Sequence, residues 1–390
     1  MIFAIGAIVC AMAIASGAMY LLLHGLPGRG ADKHADPARR SGRVVSLDAV
    51  SPSVPVMSRS APAQQGFGSL PAIRRNPSGG SRAARRSPQL PPDSTVTFAA
   101  EREAAAIDEV FGALERELVG LVPVKQRVQE IGSLLLVDRV RRRFGLSAPR
   151  PNLHMCFTGA PGTGKTTVGL LMSDLLHRLG YLQQGHLVHA MRNDLVGEYV
   201  GQTAPKTKRV LDKAMGGVLF IDEASALYQP DNSKDFGQEA IEILLQVMEN
   251  QRDQSIVIFA GYKDKMEQFF SSNPGLRSRV AHHLDFADYD IDELTAIGAL
   301  MLQRARYYLS GRAAAAFRQA VTARMTQPHF ANARTVRNEL ERARLRHAYR
   351  LAAQPDRHWT RDDLMRLEAE DILPGYGALE VPAGEPQGSR

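Results

Sequence analysis

Three observations predict an α/β fold in which a parallel sheet lies between two helical layers, followed by a small all-α domain. Short apolar runs alternate with helical segments between residues 153 and 289. A glycine-rich loop, "GAPGTGKTT" (159–167), sits between the first of those runs and its helix. A later run, "GVLFIDE" (217–223), ends in two carboxylates. Strands buried on both faces read as continuous apolar runs, the pattern of a parallel sheet.

The chain starts with "IFAIGAIVCAMAIASGAMYLLL" (2–23), which carries no charge. As a helix it would span roughly 33 Å, about one hydrocarbon core. No Lys or Arg precedes it, so the positive start of a cleaved signal is missing. Arg29, Lys33, Arg39, Arg40 and Arg43 follow it. The expectation is a single-pass membrane anchor over 1–23, with the N-terminus outside and the remainder in the cytoplasm. A cytoplasmic protein without this segment is the alternative. Residues 24–96 are rich in Pro, Ser, Gly, Ala and Arg and predict a disordered basic linker.

Between residues 24 and 100 there are eleven basic and four acidic side chains, so this stretch holds the whole net charge of +7. The rest balances, which argues against a specific nucleic-acid partner. Two cysteines, Cys10 and Cys156, are too few for a disulfide framework.

A folded domain is expected over 97–290. It opens with two helices within 101–145. Strands follow at 153–159, 186–191, 217–224, 255–262 and 282–289, and helices begin near Lys165, Ala204, Gly237 and Lys263. Residues 291–372 show helical periodicity without strands, and 373–390 read as a disordered tail.

The phosphate loop has the spacing G-x-x-x-x-G-K-T in strand–loop–helix context. Gly159, Gly162 and Gly164 let backbone N–H groups face phosphate oxygens, and the helix N-terminus adds its dipole. Lys165 is expected at the β- and γ-phosphates of ATP, and the Thr166 hydroxyl on Mg²⁺. Pro161, Thr163 and Thr167 complete the nucleotide-binding set. Asp222 ends an apolar strand where ligands of open sheets bind, and would hold Mg²⁺. Glu223 would polarise the attacking water. Arg277 and Arg279 precede the last strand. Either reaches a neighbouring subunit's γ-phosphate, or both are solvated or paired with acids. Arg334 opens a helix of the second domain, as a nucleotide contact or a surface ion pair. Tyr199 and Val200 in "GEYVGQT" (197–203) read as exposed, which burial in their own subunit would contradict.

These motifs together look like an AAA+ ATPase. The strings "ELVGLVPVKQRVQEI", "LVGEYVGQTAPKTK", "YQPDNSKDFGQEAIEILLQVMENQRD", "FAGYKDKMEQFFSSNPGLRSRVAHH" and "QPHFANARTVRNELERARLR" resemble the CbbX/CfxQ family, the red-type Rubisco activases. The resemblance runs from about Glu115 to about Ala352. It implies a homo-oligomeric ring, usually a hexamer, with ATP at subunit interfaces. It implies that Tyr199, Val200 and Gly201 line the central pore and grip a polypeptide, the C-terminal tail of the Rubisco large subunit. It implies ribulose 1,5-bisphosphate as an effector, Arg279 as the first candidate for the trans-acting arginine with Arg277 second, and Arg334 as the lid arginine. Val119 and Gly120 fall where such proteins clasp adenine. Tyr262 stands where many have a water-orienting Asn. The run 2–23 and its linker are not part of the family pattern. Other open readings are a membrane-tethered remodeller of a different protein, and a nucleotide-switched scaffold.

Overall fold

The computed structural model describes residues 89–146, 149–229 and 235–373. Helices α1 (Phe98–Ala105), α2 (Ile107–Glu117) and α3 (Val122–Arg143) precede the sheet. Then come β1 (Met155–Gly159), α4 (Lys165–Arg178), β2 (Leu187–Ala190), the short α5 (Arg192–Leu195), α6 (Thr203–Ala214), β3 (Val218–Ile221), a 3₁₀ turn at Ala224–Leu227, α7 (Gly237–Asn250), β4 (Ile256–Gly261), α8 (Lys263–Ser272), α9 (Pro274–Arg279) and β5 (His282–Phe286). The five strands are all parallel, in the order β2-β3-β4-β1-β5.

Side chains alternate across a strand, and the core divides accordingly. Met155 and Phe157 join Phe220, Ile258 and the helices α2–α4 on one face. Cys156, Leu219, Val257 and Phe259 meet α6, α7 and α8 on the other. The expected three layers follow directly from this period of two. Burial raises the pKa of the Cys156 thiol to about 12, so it packs as a small apolar group.

The second domain holds α10 (Ile291–Arg304), β6 (Tyr308–Leu309), α11 (Gly311–Met325), α12 (Asn332–Ala352), α13 (Arg361–Met365), β7 (Arg366–Leu367) and α14 (Ala369–Ile372). Its first helix starts with a capping box. Asp290 Oδ1 accepts from Glu293 N (2.8 Å), and Glu293 accepts from Asp290 N (3.0 Å).

Several expectations are corrected. The second domain is not all helical, because β6 and β7 form a parallel pair of two residues each. Two residues are too short to leave an alternating pattern. The N-terminal helical stretch is three helices rather than two. Ala106 takes a left-handed φ of 50° and breaks the first from the second. The five strands are shorter than the apolar runs, since flanking residues cap or turn. The fold also begins before 97: Leu90 N donates to Arg143 O (2.8 Å), and Thr97 caps α1. The run 2–23, most of the linker and the tail from 374 lie outside the described residues. Among the described residues no helix is long and apolar enough to cross a membrane.

Candidate nucleotide site

Residues 159–164 turn between β1 and α4 through three glycines in left-handed conformations: Gly159 (φ 144°), Gly162 (φ 78°) and Gly164 (φ 97°). Space as well as conformation demands glycine here. A Cβ on Gly159 would strike the Phe286 carbonyl, and one on Gly162 would lie 2.9 Å from Arg334 N. The N–H groups of Gly162, Thr163 and Gly164 donate to no acceptor among the described residues. Thr163 stiffens the turn by donating from Oγ1 to Ala160 O (2.8 Å). The Lys165 ammonium donates to Gly159 O (2.8 Å) and Ala160 O (2.7 Å), which brings a positive charge inside the loop. Burial pulls its pKa below that of an ordinary lysine. Asp222 and Asp288 oppose that shift, and Arg334 adds to it.

Asp222 follows β3 directly, and its N–H bonds to Ala190 O (2.8 Å). Its Oδ1 accepts from Glu223 N (3.1 Å), and its Oδ2 from His189 Nε2 (3.4 Å). The His189 bond is the main reason the carboxyl lies below the usual range, and the same bond raises the imidazole. Glu223 is exposed in a left-handed conformation (φ 50°), unusual for a glutamate. Such strain is characteristic of functional positions. Thr166 is also exposed.

Two further segments reach the loop. Leu118 and Leu121 contact the position of a Cβ on Gly164 at 3.1 and 3.7 Å, so Val119 and Gly120 lie beside the phosphate turn. The start of α12 arrives from the second domain. Ala333 N donates to Gly162 O (3.3 Å), Asn332 Nδ2 to Pro161 O (3.4 Å), and Tyr289 OH to Thr163 O (3.1 Å). Arg334 is exposed on this turn.

The arginines of α9 stand apart from the loop. Arg279 pairs with Glu249 of its own chain (Nε–Oε2 2.9 Å) and donates to Gly275 O (3.0 Å). Arg277 is exposed and makes no side-chain hydrogen bond among the described residues. Tyr262 follows β4 as the residue before α8, half exposed, with Lys265 Nζ 5.1 Å from its ring centroid.

Tyr199 and Val200 are 68% and 84% exposed. Gly201 (φ 79°) has open space around it. The base of this loop is tied down. Gly197 N bonds to Thr203 Oγ1 (3.0 Å), and Lys206 Nζ to Val196 O (3.1 Å). The fixed base therefore holds two apolar side chains out in solvent.

Residues 155–287 match the family model "ATPase family associated with various cellular activities (AAA)", and 290–380 match the "AAA lid domain". A "Ribulose bisphosphate carboxylase/oxygenase activase, chloroplastic" of Cyanidioschyzon merolae is 59% identical over 72% of this chain and 95% of its own length. The chain belongs to the CbbX/CfxQ family of AAA+ ATPases. A "Protein CfxQ homolog" of Cyanidium caldarium is 58% identical over 71% of this chain and 97% of its own. A "Protein CbxX, chromosomal" of Cupriavidus necator is 56% identical over 75% and 92%.

The site of this CbbX/CfxQ ATPase suits Mg–ATP. Three N–H donors without an acceptor among the described residues, a helix N-terminus and a half-buried ammonium fit a polyphosphate. Among the described residues no group of three or more His, Cys, Asp or Glu could hold a metal. Mg²⁺ needs no such cage, because phosphate and water oxygens would complete its shell beside Thr166 and Asp222. The bound ion would neutralise charge on the phosphates. Glu223 N and His189 orient the Asp222 carboxylate, which would face that ion. Lys165→Ala should weaken nucleotide binding about 100-fold, since charge-assisted bonds to phosphate contribute roughly 1.5–3 kcal/mol each. Thermal unfolding checks this. At 100 times the parent Kd, ATP stabilises the parent by about 2.7 kcal/mol, and the variant should gain only about 0.4 kcal/mol.

His189, Asp288, Tyr289 and Asn332 belong to no sequence motif that marks a site. Asn332 sits inside "ANARTVRN", where the arginines are the conspicuous residues.

Proposed function

We propose that this ATPase is a ring-forming protein remodeller of the Rubisco-activase type, in which hydrolysis moves the Tyr199–Val200–Gly201 loop and pulls a polypeptide. The exposure of Tyr199 and Val200 on a tethered loop carries the reading. An aromatic ring and a branched aliphatic grip any extended chain by apolar contact, without reading its sequence. Gly201 gives the tip its bend. The ring is a homo-oligomer, most simply a hexamer. Glu223 activates water, Arg279 serves the neighbouring subunit's γ-phosphate with Arg277 as the second candidate, and Arg334 contacts nucleotide from the lid. Val119 and Gly120 clasp adenine.

The Rubisco large subunit is the proposed substrate and ribulose 1,5-bisphosphate the proposed effector, supported by the activase name of a 59% identical relative. Inhibited red-type Rubisco should regain carboxylation in the presence of the chain and ATP. Tyr199→Ala should lose that recovery while retaining its basal ATPase. Robust ATPase without any response to Rubisco or the sugar phosphate would discard that substrate. Unchanged remodelling by Tyr199→Ala would discard the pulling loop.

A second reading is favoured by the uncharged run 2–23, which has no place in the activase pattern. In it the ATPase is anchored in the membrane, faces the cytoplasm and remodels a protein confined there. Release of the full chain from membranes by alkaline carbonate would rule out an integral anchor.

A further inference from the structure

Asn332 is fully buried, and it opens α12 with a left-handed φ of 46°. A short polar residue tolerates that conformation better than most. Its amide joins three segments. Oδ1 accepts from Tyr289 N (3.0 Å). Nδ2 donates to Asp288 Oδ1 (2.7 Å) and to Pro161 O (3.4 Å). Tyr289 and Asp288 belong to the connection between β5 and α10, and Pro161 to the phosphate loop. On either side, Ala333 N holds Gly162 O, and the Tyr289 hydroxyl holds Thr163 O. Three consecutive carbonyls of the loop are therefore bound by the lid and its connection.

We propose that Asn332 is a positioning residue that fastens the first turn of α12 to the phosphate loop and thereby sets Arg334 toward the γ-phosphate. The inference rests on the reading of Arg334 as a nucleotide contact. Arg334 stands one residue beyond the two anchored positions, and its backbone N bonds to Ala331 O (2.9 Å). Its charge already bears on Lys165. A buried amide that meets both donors and acceptors fixes orientation in a way that an apolar contact does not. Movement of the loop then carries the arginine with it.

The test uses the full chain and measures kcat, KM for ATP and thermal unfolding. Arg334→Ala should lower kcat. Asn332→Asp sets a carboxylate against both Asp288 and the Pro161 carbonyl, and Asp288→Ala removes the acceptor for Nδ2. Each alone should lower kcat roughly tenfold to a hundredfold, the scale of a small misplacement of a catalytic group. The exchanged pair, Asp288→Asn with Asn332→Asp, keeps one donor facing one acceptor, the bond to Tyr289 N and the net charge, but leaves Pro161 O without its donor. It should regain the thermal stability that Asn332→Asp loses and keep the lowered kcat, because the tie to the phosphate loop is still missing. Asn332→Ala added to Arg334→Ala should cause no further fall, because both remove the same function. Losses that multiply in folded protein, or an exchanged pair with the kcat of the parent, would overturn the positioning role. Normal hydrolysis by Arg334→Ala would remove the arginine reading and this inference with it. That failure is told apart from the first because there Arg334→Ala is impaired.

Discussion

Arg279→Ala should bind ATP as the parent does and turn it over about 10³-fold more slowly or worse, the scale for an arginine that acts on a γ-phosphate in trans. In the single chain this guanidinium pairs with Glu249, with side chains 31% and 58% exposed. A pair so open to water contributes only about 0–1 kcal/mol. A neighbouring phosphate with several negative charges would outcompete it, so the internal pair is no obstacle to the trans role proposed for Arg279. Mixing the variant with a Lys165→Ala chain tests the trans geometry. The intact nucleotide site of an Arg279→Ala chain should work where the neighbour is a Lys165→Ala chain, which supplies Arg279, and should not where the neighbour is another Arg279→Ala chain. Retained turnover in Arg279→Ala, with loss in Arg277→Ala, would exchange their roles.

Glu223→Gln should retain ATP and form a stable ring while hydrolysis falls about 10²- to 10⁴-fold, the usual contribution of a general base. Glutamine matches the size of glutamate and can keep the left-handed backbone at 223. It cannot take a proton from water. Asp222 keeps its bonds to the backbone N of residue 223 and to His189, so the carboxylate proposed to hold Mg²⁺ is undisturbed. Single-turnover release of phosphate is the measurement. Normal release would place the base elsewhere, and His189 beside Asp222 would be the next residue to change.

Local demands were legible in the sequence and long-range ones were not. Gly159, Gly162 and Gly164 could be read because a turn with positive φ needs glycine wherever it occurs. The exposed pair Tyr199 and Val200 could be read for the converse reason, since apolar residues in a polar loop stand out. Asn332 meets Pro161 across 171 residues, and nothing local in "ANAR" reports that meeting. The Glu249 partner of Arg279 lies 30 positions away on another helix. The break at Ala106 has no glycine or proline to announce it, and the β6–β7 pair is too brief to show a period. The five strands were visible as apolar runs. Their order depends on crossovers that composition does not encode.

That order, β2-β3-β4-β1-β5, has a consequence during synthesis. β1 leaves the ribosome first but pairs only with β4 and β5, with Met155 opposite Ile258 and His282. At about 5–20 residues per second, roughly 100 residues must be translated before β1 meets its first neighbour, a delay of about 5–20 s. Throughout that interval both edges of an apolar strand offer unpaired N–H and C=O groups to other chains. Its second edge stays open longer still, until β5 brings Phe286 beside Gly159.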